Sequence, residues 1–141
     1  MFKHLDSNAF LRYLLNDVPA QAEAARDVID SGSAILTNEV LAEIVYVLDK
    51  VYGLPRQKIA DALAGVVREA QCEDRDLVLG ALSTYRGNRK LDIVDSILAA
   101  RHRLRQIEVL TFDKDLLKQM EKDDEAEGAK LWKGRSEESN M

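Results

Sequence analysis

Two short apolar-leaning runs, each followed closely by a helix-type pattern, constrain the fold of this chain most. Residues 2–5 lead into a polar step and a periodic segment, and residues 33–36 lead into Thr37 and a longer periodic segment. Short apolar-leaning runs fit buried strands, whereas apolar residues three and four apart indicate helices. Strands joined by helices imply crossover connections. The sequence therefore predicts an α/β domain with a mostly parallel sheet.

The rest of the chain continues this alternation. Ser7 or Asn8 can cap the first helix, and Pro19 suits the first turn of the second. The third helix ends at Gly53, the fourth begins at Pro55, and two further helices are predicted over residues 74–85 and 91–104. Residues 107–111 (IEVLT) form the clearest strand pattern of the second half, ahead of a last helix.

A change of composition near residue 121 predicts the domain organisation. The stretch EKDDEAEGAK is almost entirely polar, whereas the preceding residues are apolar-periodic. We therefore expect one folded domain over residues 1–121 and a charged, partly flexible extension over residues 122–141.

Charge and cysteine content restrict the partners and the compartment. The chain has 25 acidic and 20 basic residues, so its net charge is -5, whereas proteins that hold nucleic acid by bulk charge are basic. A local patch could still contact phosphates, or it could be an ordinary solvated face: Arg86, Arg89, Lys90, Arg101, Arg103 and Arg105. Cys72 is the only cysteine, and no run is apolar enough for a signal peptide or a membrane span. We expect a cytoplasmic protein.

Four carboxylates occupy positions that a hydrophobic core would not favour. Asp6 and Asp113 each follow a predicted strand, and the carboxyl ends of parallel strands meet at one edge of a sheet. Glu43 borders the apolar stripe of its helix. Asp95 lies among apolar residues three residues after Asp92, and the helix dipole accounts for Asp92 better than for Asp95.

Carboxylates that converge must be neutralised. Two like charges about 4 Å apart repel by about 4 kcal/mol where the effective dielectric constant is about 20. Oxygen ligands without histidine or cysteine favour a hard cation, Mg²⁺ or Mn²⁺. Such a site suits the hydrolysis of phosphodiesters.

Four segments in a fixed order carry a family resemblance. They read LDSNAFLRYLLND, TNEVLAEIVYVLDKVYGLPRQKIADAL, LDIVDSILAARHR and VLTFDKDLL. Together they resemble a PIN domain, and most of all the VapC-type toxins of bacterial toxin–antitoxin pairs, over residues 1–120. The resemblance implies a PIN-like three-layer α/β/α fold and an Mg²⁺- or Mn²⁺-dependent endoribonuclease that leaves 5′-phosphate and 3′-hydroxyl ends.

The resemblance also implies roles for individual residues. The catalytic residues and metal ligands would be the same four acids, Asp6, Glu43, Asp95 and Asp113. Ser7 stands where the family usually has threonine, and Asn8 would orient the first acid. Asp92 and Asp115 are additional acids that would support the site or a second ion.

The partners implied by the resemblance are an RNA substrate, a cognate antitoxin and a second copy of the chain, with no membrane. An apolar surface around Tyr46, Val47 and Tyr52 could serve such an interface, although a helix stripe of this kind is more often core. The roles of His102 and Trp132 stay open: His102 fits a packing role, and Trp132 fits either base stacking or a dimer contact.

Two other functions remain compatible with the pattern. One is a non-catalytic PIN-like module that binds RNA or a protein. The other is a phosphate-handling α/β domain, either a receiver or a haloacid-dehalogenase-like phosphatase. The phosphatase requires a second aspartate two residues after the first, where this chain has Asn8, and a receiver requires a lysine after its last strand.

Overall fold

The computed structural model describes the backbone of residues 1–139 and the side chains of residues 1–128. Its elements, in chain order, are β1 (Lys3–His4), α1 (Ser7–Leu15), α2 (Pro19–Asp30), β2 (Ala34–Ile35), α3 (Asn38–Lys50), α4 (Arg56–Glu69), α5 (Arg75–Gly87), α6 (Ile93–Arg105) and α7 (Lys114–Ser139). The side chain of Trp132 lies outside the described residues. No helix of the described part is long and apolar enough to cross a membrane.

The two strands form a small parallel sheet. Lys3 lies opposite Ala34 and His4 opposite Ile35, and Gln71 adds a parallel bridge on the far side of β2. The predicted strands 2–5 and 33–36 are therefore confirmed in shortened form, within a mostly helical α/β structure. The first of them is not a buried strand, because Lys3 and His4 are exposed and burial begins only at Leu5.

The strand predicted for residues 107–111 is wrong for this conformation. Gln106 ends α6 in the left-handed region, at φ 51°, and the residues after it run on without strand pairing. Ile107 is 50% exposed and Leu110 89%. A strand needs a neighbouring strand for its backbone groups, and no described strand pairs with this segment. The edge of β1 away from β2 is likewise unpaired among the described residues.

Capping side chains and a proline mark the starts of the helices α3, α4 and α5. The Thr37 hydroxyl caps α3 by accepting from Val40 N at 3.3 Å, and the Asp74 carboxylate caps α5 by accepting from Leu77 N at 3.2 Å. Pro55 precedes α4, as its fixed φ allows. These starts agree with the predicted ones to within about two residues, the usual uncertainty of helix ends.

The main core lies among α1 to α6 and the sheet. Its largest fully buried side chains include Phe10, Ile29, Leu41, Ile44, Leu63, Leu82 and Tyr85. The helices α5 and α6 pack closely: a Cβ built on Gly80 would lie 2.8 Å from Leu104 Cδ1. A side chain larger than glycine at this position would therefore require the end of the Leu104 side chain to move.

A second, smaller cluster attaches α7 to α6. Leu91, Ala99, Leu116 and Met120 are buried together, and Val109 packs against them. The helix α7 continues across residue 121 to Ser139. The predicted division of the chain at residue 121 stays a prediction.

Candidate active site

Asp6 lies two residues after β1 and begins α1. Its Oδ1 accepts a hydrogen bond of 2.8 Å from Ala9 N, so Asp6 is the N-cap, and the prediction of Ser7 or Asn8 as the cap is wrong. A carboxylate at the amino end of a helix is favoured by the helix dipole. Asp6 and Asn8 are exposed and line an open groove of about 820 Å³ with Lys3.

The first turn of α6 holds a second pair of carboxylates. Asp92 Oδ1 accepts from Asp95 N at 2.8 Å and caps the helix, and Asp92 O accepts from the Ser96 hydroxyl at 2.7 Å. Ser96 is fully buried, so this turn is held from inside the protein. The cap fixes Asp95 in the first turn, directly beside Asp92.

Asp95 has the most perturbed environment of the predicted acids. Its side chain is half-buried, and this partial burial raises the pKa of Asp95 above that of an ordinary aspartate. The negative charges of Asp92 and then of Asp113 raise the pKa of Asp95 further. These three carboxylates are therefore near enough for their charges to interact.

Asp113, the third of these carboxylates, lies at the start of α7. Its Oδ1 accepts from Asp115 N at 2.8 Å and from Leu116 N at 3.1 Å, as a helix cap does. Asp115 is half-buried in the first turn, and Lys90 Nζ lies 3.9 Å from its Oδ1. The capping bonds hold the Asp113 carboxylate in a fixed direction although it is exposed.

Glu43 lies apart from these contacts. It is exposed on the second turn of α3 and makes no hydrogen bond or ion pair with another described side chain. The helices α3 and α6 touch, and a groove of about 190 Å³ between them is lined by Glu39 and Arg101, among others. Glu39, one turn before Glu43, is an acid of this region that the sequence analysis did not select.

The candidate acids suit a divalent cation in their chemistry but not in their spacing. All the candidate donors are carboxylates, which suit Mg²⁺ or Mn²⁺, and a cation would relieve the charge crowding around Asp95. Within residues 1–128, however, no three acidic, histidine or cysteine side chains are gathered closely enough to hold an ion. The donor chemistry fits a cation, while the ligands are not assembled in this conformation. The four-acid site stays a prediction.

Most of the predicted basic patch is engaged within the protein. Arg105 contacts both carboxylate oxygens of Asp74, at 2.6 and 2.8 Å, and Arg86 pairs with Asp61 at 3.2 Å. Arg103 is shared between Asp123 and two groups of α5. Arg89 and Arg101 form no ion pair with any described residue, so they are the cations of this set that remain available.

Two residues outside the predicted site, His102 and Cys72, lie in packed surroundings. His102 Nδ1 lies 3.2 Å from Ile107 O and its Nε2 lies 2.8 Å from Asp124 Oδ1, so it bridges α6, the following segment and α7. Cys72 is half-buried, and burial raises the pKa of its thiol, which disfavours the reactive thiolate.

The comparison with protein families decides the assignment. A family model described as PIN domain matches residues 3–122. The chain is a PIN domain. No curated protein and no solved structure matches it. PIN domains are commonly nucleases, so membership of the family supports a hydrolase in general terms.

One residue near the site had not been selected from the sequence. Arg56 is the first residue of α4 and donates to three backbone carbonyls ahead of Asp92. A usable indication was present, because a cation at the amino end of a helix opposes the helix dipole and therefore needs another reason to be there.

Proposed function

We propose that this PIN domain is an Mg²⁺- or Mn²⁺-dependent endoribonuclease, and that it is the VapC-type toxin of a type II toxin–antitoxin system. One observation supports this most: in a chain that belongs to the PIN family, the Asp95 carboxyl is crowded by Asp92 and Asp113 at the start of two helices. A divalent cation would offset the mutual repulsion of these negative charges.

The resemblance of the sequence to PIN domains supplies the roles proposed for the residues. Asp6, Glu43, Asp95 and Asp113 would hold the cation, which would activate a water molecule and offset charge on the phosphate. Asp92 keeps Asp95 in place through its cap, while Asn8 and Ser7 flank Asp6. Arg89 and Arg101 have charges to offer to the RNA backbone, in a protein whose net charge of -5 gives no bulk attraction.

We further propose that the active form completes a three-layer α/β/α fold. Among the described residues, the edge of β1 away from β2 has no strand partner, and residues 107–111, three of which are apolar, are irregular and pair with no strand. Pairing of this segment with β1 would bury Ile107 and Leu110. It would also bring Asp113, two residues beyond the segment, towards Asp6.

Cleavage of a labelled single-stranded RNA tests the proposal. We expect Mg²⁺- or Mn²⁺-dependent products with 5′-phosphate ends, no products in excess EDTA, and recovery on adding metal back. Asp6→Asn and Asp95→Asn should each lower the rate by at least roughly 100-fold, because loss of groups that merely support a metal ligand already costs 10–100-fold.

The matched control is Asp76→Asn, which changes an acid in the first turn of α5. It should leave the rate within about twofold of the wild type, because one surface charge in a first turn has only a small effect. If Asp6→Asn and Asp95→Asn cleave as fast as this control, the assignment is wrong. Growth arrest on expression, relieved by the same two variants, separates a toxin from another ribonuclease.

A non-catalytic RNA- or protein-binding module is the second candidate. It is favoured by the absence, within the described side chains, of three gathered metal ligands. RNA binding that persists in EDTA, with no cleavage under any metal condition, would select this candidate.

A further inference from the structure

Arg56 connects the start of α4 to the junction between α5 and α6. Its Nη1 donates to Tyr85 O at 3.0 Å, Asn88 O at 3.1 Å and Leu91 O at 2.6 Å. The guanidinium carbon also lies 4.1 Å from the centre of the buried Tyr85 ring. The planar guanidinium suits both contacts, since it can stack on the ring while its edge faces the carbonyls.

This position is unfavourable for a cation unless it serves a purpose. The amino end of a helix carries a partial positive charge, and Arg56 is the first residue of α4. The carboxyl end of α5 carries the opposite charge, and its last carbonyls have no partner within that helix. The helix dipole of α4 therefore does not stabilise the charge of Arg56, whereas the three carbonyls from another part of the chain do.

The three carbonyls lead directly to the candidate site. Residues 88–91 join α5 to α6, and Leu91 immediately precedes the helix cap Asp92. The helix α7 also contacts this loop: Asn88 Nδ2 donates to Gln119 Oε1 at 3.0 Å, and Leu91 is fully buried against Leu116 and Met120. Arg56 and α7 thus both hold the same loop.

We propose that Arg56 is a positioning residue. It fixes loop 88–91 and, through this loop, the orientation of the Asp92 and Asp95 side chains at the start of α6. Its value to catalysis rests on the proposed nuclease function, whereas its effect on the start of α6 does not. Arg56 is not a ligand and does not need to touch the RNA.

The experiment compares Arg56→Met with Arg75→Met. Arg75 is a matched control because it closes the end of α4 in the same way, with Nε donating to Val67 O at 3.0 Å and Nη2 to Ala70 O at 2.6 Å, without contacting loop 88–91. Amide hydrogen exchange of Asp95 and Ser96 is measured without metal. Cleavage of the labelled RNA is measured with Mn²⁺ under the same buffer conditions.

We expect Arg56→Met to speed exchange at Asp95 and Ser96 by roughly tenfold or more relative to Arg75→Met, because the loop that precedes their helix opens locally. The kcat for RNA should fall by at least roughly tenfold while KM changes by less than about twofold, because misplaced catalytic groups lose transition-state stabilisation rather than binding. Arg56→Lys keeps the charge but loses the planar guanidinium. Its exchange rates and its kcat should lie between those of Arg56→Met and those of Arg75→Met.

Equal exchange and equal kcat in Arg56→Met and Arg75→Met would overturn the proposal. If Arg56→Met does not fold, the same comparison with Arg56→Lys decides. If the wild-type protein cleaves no RNA, the proposed function fails, and the exchange rates at Asp95 and Ser96 still decide whether Arg56 fixes this turn.

Discussion

The Asp95 carboxyl experiences opposing influences. The start of α6 favours a negative charge there through the helix dipole, while partial burial and the neighbouring Asp92 and Asp113 disfavour it. The balance raises the pKa of Asp95. A folded-state pKa above the unfolded one means that the folded protein binds this proton more tightly, so the ionised form lowers stability.

A pH-dependent stability difference follows for Asp95→Asn in the presence of EDTA. The cost of ionising Asp95 is absent below the ordinary pKa of aspartate, develops as pH rises towards the raised pKa, and is complete at neutral pH. We expect Asp95→Asn to melt roughly 2 °C above the wild type at pH 7. The gain should disappear in acid below the ordinary aspartate pKa. A variant that melts lower at pH 7, or gains more in acid, contradicts this.

Among the elements, those governed by local chemistry were predictable. The turn from β2 into α3 follows from a short apolar run and the Thr37 cap, and α4 follows from Pro55. Asp6 was also recognised as unusual, although its capping of α1 was assigned to its neighbours. Each of these depends on contacts within a few residues, which the sequence displays directly.

The elements that depend on distant partners were not predictable. Residues 107–111 have a strand pattern, but a strand exists only when another edge meets it, and the pattern does not show whether one does. Arg56 reaches carbonyls 29 to 35 residues away, and no local pattern shows such a contact. For the site, the sequence selects four acids, and both their roles and their convergence stay predictions.

Proline substitutions test whether residues 107–111 join β1 in the active form. Successive residues of a strand point their N–H groups to opposite sides, so one of Val109→Pro and Leu110→Pro should remove a bond to β1. We expect that variant to lose cleavage by roughly tenfold or more, because the segment positions Asp113. The controls Val109→Ser and Leu110→Ser keep the N–H group. Both proline variants cleaving as well as their serine controls would contradict the pairing.

For the whole molecule, we propose a homodimer and a cognate antitoxin as partners. Large apolar side chains are exposed towards the carboxyl end of α3 and just after it. The exposed fractions are 62% for Tyr46, 69% for Val51 and 44% for Tyr52. Clustered apolar side chains of this kind often mark an interaction surface.

Light scattering tests the dimer. We expect the purified chain to have about twice its 15.9 kDa mass and Tyr46→Lys to have the monomer mass, because a buried charge without a partner is costly at an interface. Val18→Lys changes an exposed apolar residue at the start of α2 and should remain dimeric. A monomeric wild type, or the same mass for both variants, contradicts the dimer.

The bare backbone along β1 has a consequence for how the protein behaves when concentrated. On the side away from β2, the backbone of β1 has no strand partner among the described residues, and such an edge can pair with an extended polypeptide, including the same segment of a neighbouring molecule. The strand is only two residues long and carries the exposed, charged Lys3, and both features oppose such templating. At high protein concentration, the short length and the charge of β1 therefore limit fibrous aggregation through this edge.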